Sequence, residues 1–166
     1  MKEQKNVVLF GGSFDPFHNG HLYIITQVIS HLRVDELFLV PNYICPNKMK
    51  PIIPAELRMK CLKDMLKPIK KLNKKINFQI SDYEMNLKRS VFTIETVEFF
   101  KKKYPKKRLF LLIGSDNFFS FHKWKEFHEI LKHVTLCVIR RDDFTNDNYT
   151  DYVYDFLHQQ EFTSII

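Results

Sequence analysis

His18 and His21 stand three residues apart in the stretch Gly11-Gly12-Ser13-Phe14-Asp15-Pro16-Phe17-His18-Asn19-Gly20-His21. On a helical turn that spacing puts both imidazoles on one face, with Cβ atoms roughly 5–6 Å apart, so both rings could grip one phosphate chain. Gly11 and Gly12 let the backbone approach a ligand with no Cβ in the way. Free N–H groups at a helix start favour phosphate oxygens. A histidine pair at this spacing is more often structural when it stands alone. The glycines, and the strand and helix on either side, turn the reading toward phosphate handling.

The elements that must hold this stretch are local and short. Val7-Val8-Leu9-Phe10 is an apolar, β-favouring run suited to a buried strand. Leu22, Ile25, Val28, Ile29 and Leu32 then recur at helical spacing. Glu36–Pro41 is a second strand, followed by a proline- and lysine-rich loop over Asn42–Ile53. Pro54 suits the first turn of a helix carrying Leu57, Cys61 and Met65 at spacing four, and Lys67–Lys75 is expected as a basic connector. Ile76, Phe78 and Ile80 alternate as a third strand. Thr93 is expected as the N-cap of a helix with Ile94, Val97, Phe100 and Tyr104, closed by Pro105. Leu109–Ile113 is a fourth strand running into Gly114-Ser115-Asp116-Asn117, a second strand-to-helix turn. Trp124 precedes a short amphipathic helix, and Val134–Ile139 is a fifth strand. A last helix is expected to carry Tyr149, Tyr152, Val153, Phe156 and Leu157 as one apolar stripe.

Five short strands alternating with helices predict an α/β fold: one doubly wound, mostly parallel, Rossmann-like sheet with helices on both faces. If the strand order is 3-2-1-4-5, strands one and four are neighbours, and the two glycine turns flank one crevice beyond the strand ends. Glycine placement agrees. Only four glycines occur in 166 residues, three of them in the histidine stretch and the fourth at Gly114.

Composition narrows the classes. The length suits one domain, read as 1–166, with no repeats or linkers. No apolar run approaches the ~20 residues of a membrane span, and Met1–Lys5 leads into a strand rather than a signal peptide. Three cysteines without zinc spacing suit a reducing cytoplasm. The net charge of +7, from 26 basic and 19 acidic residues, favours an anionic partner. The lysine clusters Lys67–Lys75 and Lys101–Arg108 carry no interleaved aromatics, so a solvated surface is favoured over nucleic-acid binding. G-x-x-x-x-G-K-[ST] and G-x-G-x-x-G are both absent, which excludes those two phosphate loops.

GGSFDPFHNGH resembles the [ST]-F-D-P…H-x-G-H signature of the HxGH nucleotidyltransferases, which move an adenylyl or cytidylyl group onto a phosphate. Over about residues 6–145 the chain resembles the nicotinate-nucleotide adenylyltransferase family. Ser90-Val91-Phe92-Thr93 resembles its S-x-T segment, Leu112-Ile113-Gly114-Ser115-Asp116 its I-I-G-x-D strand end, and Trp124 its stacking aromatic. The resemblance implies adenylyl transfer from ATP to nicotinate mononucleotide, giving deamido-NAD and pyrophosphate. It implies His18 and His21 as the catalytic pair. Gly11, Gly12, Ser13, Phe14, Lys48, Gly114 and Asp116 are implied around ATP. Thr93, Asp116, Trp124 and Arg140 are implied around the mononucleotide, with Arg140-Arg141 matching a C-R-R element. Mg²⁺ would accompany ATP, held by phosphate and water rather than by a carboxylate cluster, and Asp15 is expected to organise the turn.

Two departures mark this chain. Asn47 replaces the histidine of the family's P-P-H-[KR] run, here Cys45-Pro46-Asn47-Lys48. Near the C-terminus, where the family has I-S-S-T-x-I-R, the chain reads Phe162-Thr163-Ser164-Ile165-Ile166 with no arginine. The expectation from that ending is weak ATP binding unless Arg140, Arg141 or a second subunit of a homo-oligomer substitutes. Two alternatives stay open: phosphopantetheine adenylyltransferase, which Gly114-x-Asp116 and Trp124 disfavour, and a non-catalytic nucleotide-binding module.

Overall fold

The computed structural model describes residues 4–46 and 49–140. Five strands build the sheet: β1 (Asn6–Gly12), β2 (Glu36–Pro41), β3 (Asn77–Ile80), β4 (Arg108–Gly114) and β5 (Thr135–Ile139). All pair in parallel, in the order β3-β2-β1-β4-β5. The expected topology is therefore the observed one, with every pairing parallel. The order reverses between β1 and β4. Phe10 pairs with Leu112, so Gly12 and Gly114 each lie two residues beyond the same rung.

A parallel sheet must be covered on both faces, and the strand alternation shows how. Val8 and Phe10 of β1, with Leu37 and Leu39 of β2, pack under α1 (Asn19–His31) and α2 (Ala55–Leu72). Val7 and Leu9, with Phe38 and Val40, face the other way. They meet Ile94, Val97 and Phe100 of α4 (Thr93–Lys103) and Ile130 of α6 (Phe127–His133). Between these lie α3 (Tyr83–Leu87), the short α5 (Ser115–Phe118) and a 3-10 turn at Phe121–Lys123. The lysines of the two basic clusters fall largely at helix C-terminal turns, Lys70 and Lys71 in α2 and Lys101–Lys103 in α4, where they complement the helix dipole.

Three local expectations need correction. The Leu57, Cys61 and Met65 stripe does not face the core: Leu57 is 49% exposed and Met65 41%, and the buried face is Arg58, Leu62, Leu66 and Ile69, one position on. This face packs Leu62, Leu66 and Ile69 into the core and brings the guanidinium of Arg58 to backbone carbonyls of the neighbouring loops and strand ends. Lys67–Lys75 is not simply a connector, since α2 continues through Pro68 to Leu72. Thr93 is the first helical residue rather than the cap. Phe92 holds the cap position, and its N–H donates to Glu95 Oε1 at 3.0 Å. The helix expected over Tyr149–Leu157 lies outside the described residues.

Candidate active site

A crevice of about 610 Å³ opens beyond the C-terminal ends of β1 and β4. Such sheets bind ligands at this switch point, where adjacent connections leave in opposite directions. On the β1 side its wall is the glycine–histidine turn. Gly12 is a glycine for reasons of space: a Cβ there would come within 3.2 Å of the Phe14 ring, whereas one on Gly11 would meet nothing nearer than 4.0 Å. Phe14 adopts φ 48°, a conformation costly for a bulky side chain. Burial of its ring against Phe10 and Phe17 offsets that cost.

His18 and His21 cap α1 reciprocally. His18 Nδ1 accepts from the Gly20 N–H at 3.1 Å, and His21 Nδ1 accepts from the His18 N–H at 3.2 Å. The N–H groups of His21 and Leu22 both donate to the His18 carbonyl. These amides of the helix start are thus taken, contrary to the expectation that they serve a phosphate directly. The histidines replace them. With each Nδ1 an acceptor, the proton of a neutral imidazole must sit on Nε2. The rings lie 3.9 Å apart between centroids, and Phe14 and Phe17 flank His21 at 5.0 and 5.3 Å.

Beneath the turn lies a polar hub. Arg58, 2% exposed, donates to four carbonyls: Ser13 at 2.6 Å, Asn42 at 2.8 Å, Ile53 at 3.0 Å and Tyr43 at 3.1 Å. Burial lowers its pKa, and the nearby charge of Asp15 works against that shift. Asp15 takes the Ile52 and Ile53 N–H groups at 2.6 and 2.7 Å, so it fastens the loop after β2 to the turn. Both its oxygens are engaged, as expected of an organising residue. Asn42 Nδ2 donates to Ser13 Oγ, while its buried Oδ1 has no partner among the described residues.

The β4 side carries a second set of groups. A Cβ on Gly114 would sit 2.5 Å from Asp116 Oδ1, so the missing side chain makes room for the carboxylate to fold back over the strand end. Trp124 follows the 3-10 turn with its ring 5.1 Å from that of Phe121. At the start of α4 the Thr93 and Ile94 amides have no partner within the helix. Next to them Glu84 of α3 is 7% exposed, and its Oε1 accepts from Thr96 Oγ1 at 2.6 Å. Burial pushes the Glu84 carboxyl up to about 7.

Gly11, Gly12, Ser13, Phe14, His18, His21, Thr93, Gly114, Asp116 and Trp124 all line this crevice. Arg140, just past β5, is exposed and is not among its walls. Asn47, Lys48, Arg141 and the C-terminal Thr163–Ile166 lie outside the described residues. Asn42, Glu84, Lys123 and Lys125 also line the crevice and were not singled out by sequence. The two lysines bracket Trp124, a signal that could have been read. Glu84 carried none, because its burial depends on α3 packing against α4. Among the described residues no three of His, Cys, Asp and Glu gather as a metal site.

A family description for cytidylyltransferase-like proteins matches residues 9–164. The chain is 41% identical over 135 residues to a "Probable nicotinate-nucleotide adenylyltransferase" of Aquifex aeolicus, spanning 81% of this chain and 77% of the relative. A protein of the same description from Nitratiruptor is 35% identical over 138 residues, spanning 83% of this chain and 75% of that one. Among solved structures, the nicotinic acid mononucleotide adenylyltransferase of Plasmodium falciparum complexed with NaAD superposes with a TM-score of 0.77. It covers 98% of this chain and 75% of its own at 19% identity, so that likeness bears on the fold.

Proposed function

The chain belongs to the cytidylyltransferase-like family and, within it, to the nicotinate-nucleotide adenylyltransferases, and we propose on that footing how its crevice carries out adenylyl transfer. A 5′-phosphate oxygen of nicotinate mononucleotide attacks the α-phosphorus of ATP, the bond to the β-phosphate breaks, and pyrophosphate leaves. The attacking oxygen is already ionised, so the protein supplies alignment and charge stabilisation rather than a strong base. The observation that carries this reading is the reciprocal cap. It fixes both histidines as Nε2–H donors on one face of the turn.

In this reading His18 and His21 donate to the reacting phosphates, with the wall of Gly11, Gly12, Ser13 and Phe14 against the ATP. Asp116 accepts from ribose hydroxyls, Trp124 stacks on the pyridine ring, and the Thr93 and Ile94 amides receive the nicotinate carboxylate. Lys48, outside the described residues, is assigned to phosphate from the family resemblance alone. Arg140, exposed just past β5, is assigned to the mononucleotide from the family resemblance. Mg²⁺, which screens the triphosphate charge when bound, would arrive with ATP. The Ile52 and Ile53 amides on its two oxygens fit Asp15 to organising the turn rather than to being a principal metal ligand. The whole of 1–166 is read as one nucleotidyltransferase domain. Three cysteines without a disulfide support a cytoplasmic setting.

Pyrophosphate release with ATP and three acceptors tests the assignment. Nicotinate mononucleotide should exceed nicotinamide mononucleotide in kcat/KM, because amide donors at a helix start favour a carboxylate over a group that presents its own donors. Phosphopantetheine should be inert. Trp124→Ala should weaken both pyridine nucleotides. Equal efficiency of acid and amide would remove the acid-specific assignment, and turnover of phosphopantetheine would replace it.

Gly114→Ala offers a test of Asp116. The new methyl displaces the carboxylate while leaving the strand paired, so the protein should fold normally. The KM for mononucleotide should rise at least tenfold, as expected when a charge-assisted hydrogen bond of about 1.5–3 kcal/mol is lost. An unchanged KM would show that Asp116 does not hold the ribose.

A further inference from the structure

We propose that Glu84 is a specificity-determining residue: the acid-bearing pyridine nucleotide binds with Glu84 protonated, so that its uptake consumes a proton that uptake of the amide does not. The inference rests on the crevice reading above, in which the acceptor carboxylate sits at the start of α4. Thr93 and Thr96 are three residues apart on α4, hence on one face and about one helical turn from each other. The ligand carboxylate would meet the helix at Thr93, and Glu84 meets it at Thr96 through a 2.6 Å hydrogen bond. Both acids line the same crevice and draw on the same helix-end potential, equivalent to roughly half a positive charge.

No basic side chain among the described residues pairs with Glu84. On its own helix the neighbour is Tyr83. On the segment before α4, Arg89 is committed to Glu95, with its Nη2 2.6 Å from Glu95 Oε2. Glu95 itself adds a like charge that pushes Glu84 further up. Lys125 stands over the Phe92 ring, 4.8 Å from its centroid, and acts on Glu95. β2, packed against α3, contributes only Glu36 as a charged residue, and Lys107 pairs with it. A second carboxylate arriving about one turn away therefore meets either a neutral Glu84 or an unscreened like charge. Like-charge neighbours raise the pKa of one partner. At that separation, and at an effective dielectric constant near 20, the coupling is on the order of a hundredfold.

Burial already holds the free Glu84 at about 7, so the coupling falls in a measurable range. Between about pH 7 and 9 the affinity ratio of nicotinate to nicotinamide mononucleotide should fall by up to about tenfold per pH unit, the linkage for one proton. The phosphate of the nucleotide titrates in both ligands, and the ratio cancels it.

Calorimetric titration at about pH 8 in buffers of differing ionisation enthalpy gives the proton count directly. Nicotinate mononucleotide should take up most of one proton more than nicotinamide mononucleotide. Glu84→Gln should abolish the difference and flatten the ratio against pH. Thr96→Val removes the donor that favours the ionised form, so the fall in the ratio should begin at higher pH. Equal proton uptake by both nucleotides in the parent protein overturns the proposal, as does an undiminished difference in Glu84→Gln. If Trp124→Ala leaves both affinities unchanged, the crevice reading fails and this inference with it. If Trp124→Ala weakens binding while Glu84→Gln keeps the difference, only the role of Glu84 falls.

Discussion

Replacing His21 by alanine is expected to lower kcat by roughly 10²–10³-fold while raising the mononucleotide KM far less, because the lost donor acts on phosphates as they react. The reciprocal cap complicates a simple deletion. His21 Nδ1 also accepts from the His18 N–H, and the ring packs between Phe14 and Phe17. Alanine therefore removes part of a helix cap as well, a loss of about 1 kcal/mol in stability. His21→Asn separates the two roles. Its amide oxygen can still accept from the cap, but it offers no Nε2–H at the distance of an imidazole edge. Steady-state kinetics on both variants, beside their thermal midpoints, decides the matter. A large kcat loss in both, with stability recovered in the asparagine variant, is the expected result. Near-normal turnover in either would refute the proposed mechanism. His18→Ala should follow the same pattern, since its Nδ1 holds the Gly20 amide in the same manner.

The second large effect is on stability. Arg58→Met keeps length and apolar stem but leaves the carbonyls of Ser13, Asn42, Tyr43 and Ile53 without their shared donor. It also leaves Asp15 without its nearby opposite charge. Breaking such a buried polar arrangement costs about 3–5 kcal/mol, or on the order of 10 °C in thermal midpoint for a domain of this size. Lysine is not a conservative replacement, because one ammonium cannot reproduce a planar fork that reaches four carbonyls. Leu57→Gln, one residue away on the exposed face, should change stability by no more than about 0.5 kcal/mol. Thermal or urea denaturation of the two variants compares them. Equal destabilisation would mean that α2 does not turn Arg58 inward and Leu57 outward.

The contrast between residues 57 and 58 shows where reading along the chain stops. Apolar side chains at spacing four suggested a buried stripe through Leu57, Cys61 and Met65. Nothing local distinguishes that stripe from its neighbour through Leu62 and Leu66. Arg58 turns inward together with Leu62, Leu66 and Ile69, and its four acceptors come from the ends of β1 and β2 and from the loop before α2. Helical periodicity states that a face exists. Which residue turns inward depends on partners distant in sequence.

Strand order and the phosphate turn were legible because each follows from short-range rules. Apolar strands alternating with amphipathic helices admit few topologies, and the right-handed crossover removes most of those. The glycines, with two histidines at i,i+3, announce the turn through spacing alone. Asp116 and Trp124 were named by the family resemblance, and both line the crevice. Three things needed the folded chain. The helix-start amides were read as phosphate donors, but the Gly20 amide goes to the His18 imidazole and those of His21 and Leu22 to the His18 carbonyl, while both imidazoles present Nε2–H, a matter of ring rotation. Gly114 leaves room for the Asp116 carboxylate to fold back over the strand end, and its φ is not unusual. Glu84 looks like any surface glutamate in sequence, and its acidity is altered chiefly because the fold buries it beside Thr96. Periodicity and spacing carry the information that travels through the backbone; burial, proton position and shared potential arise only between segments brought together.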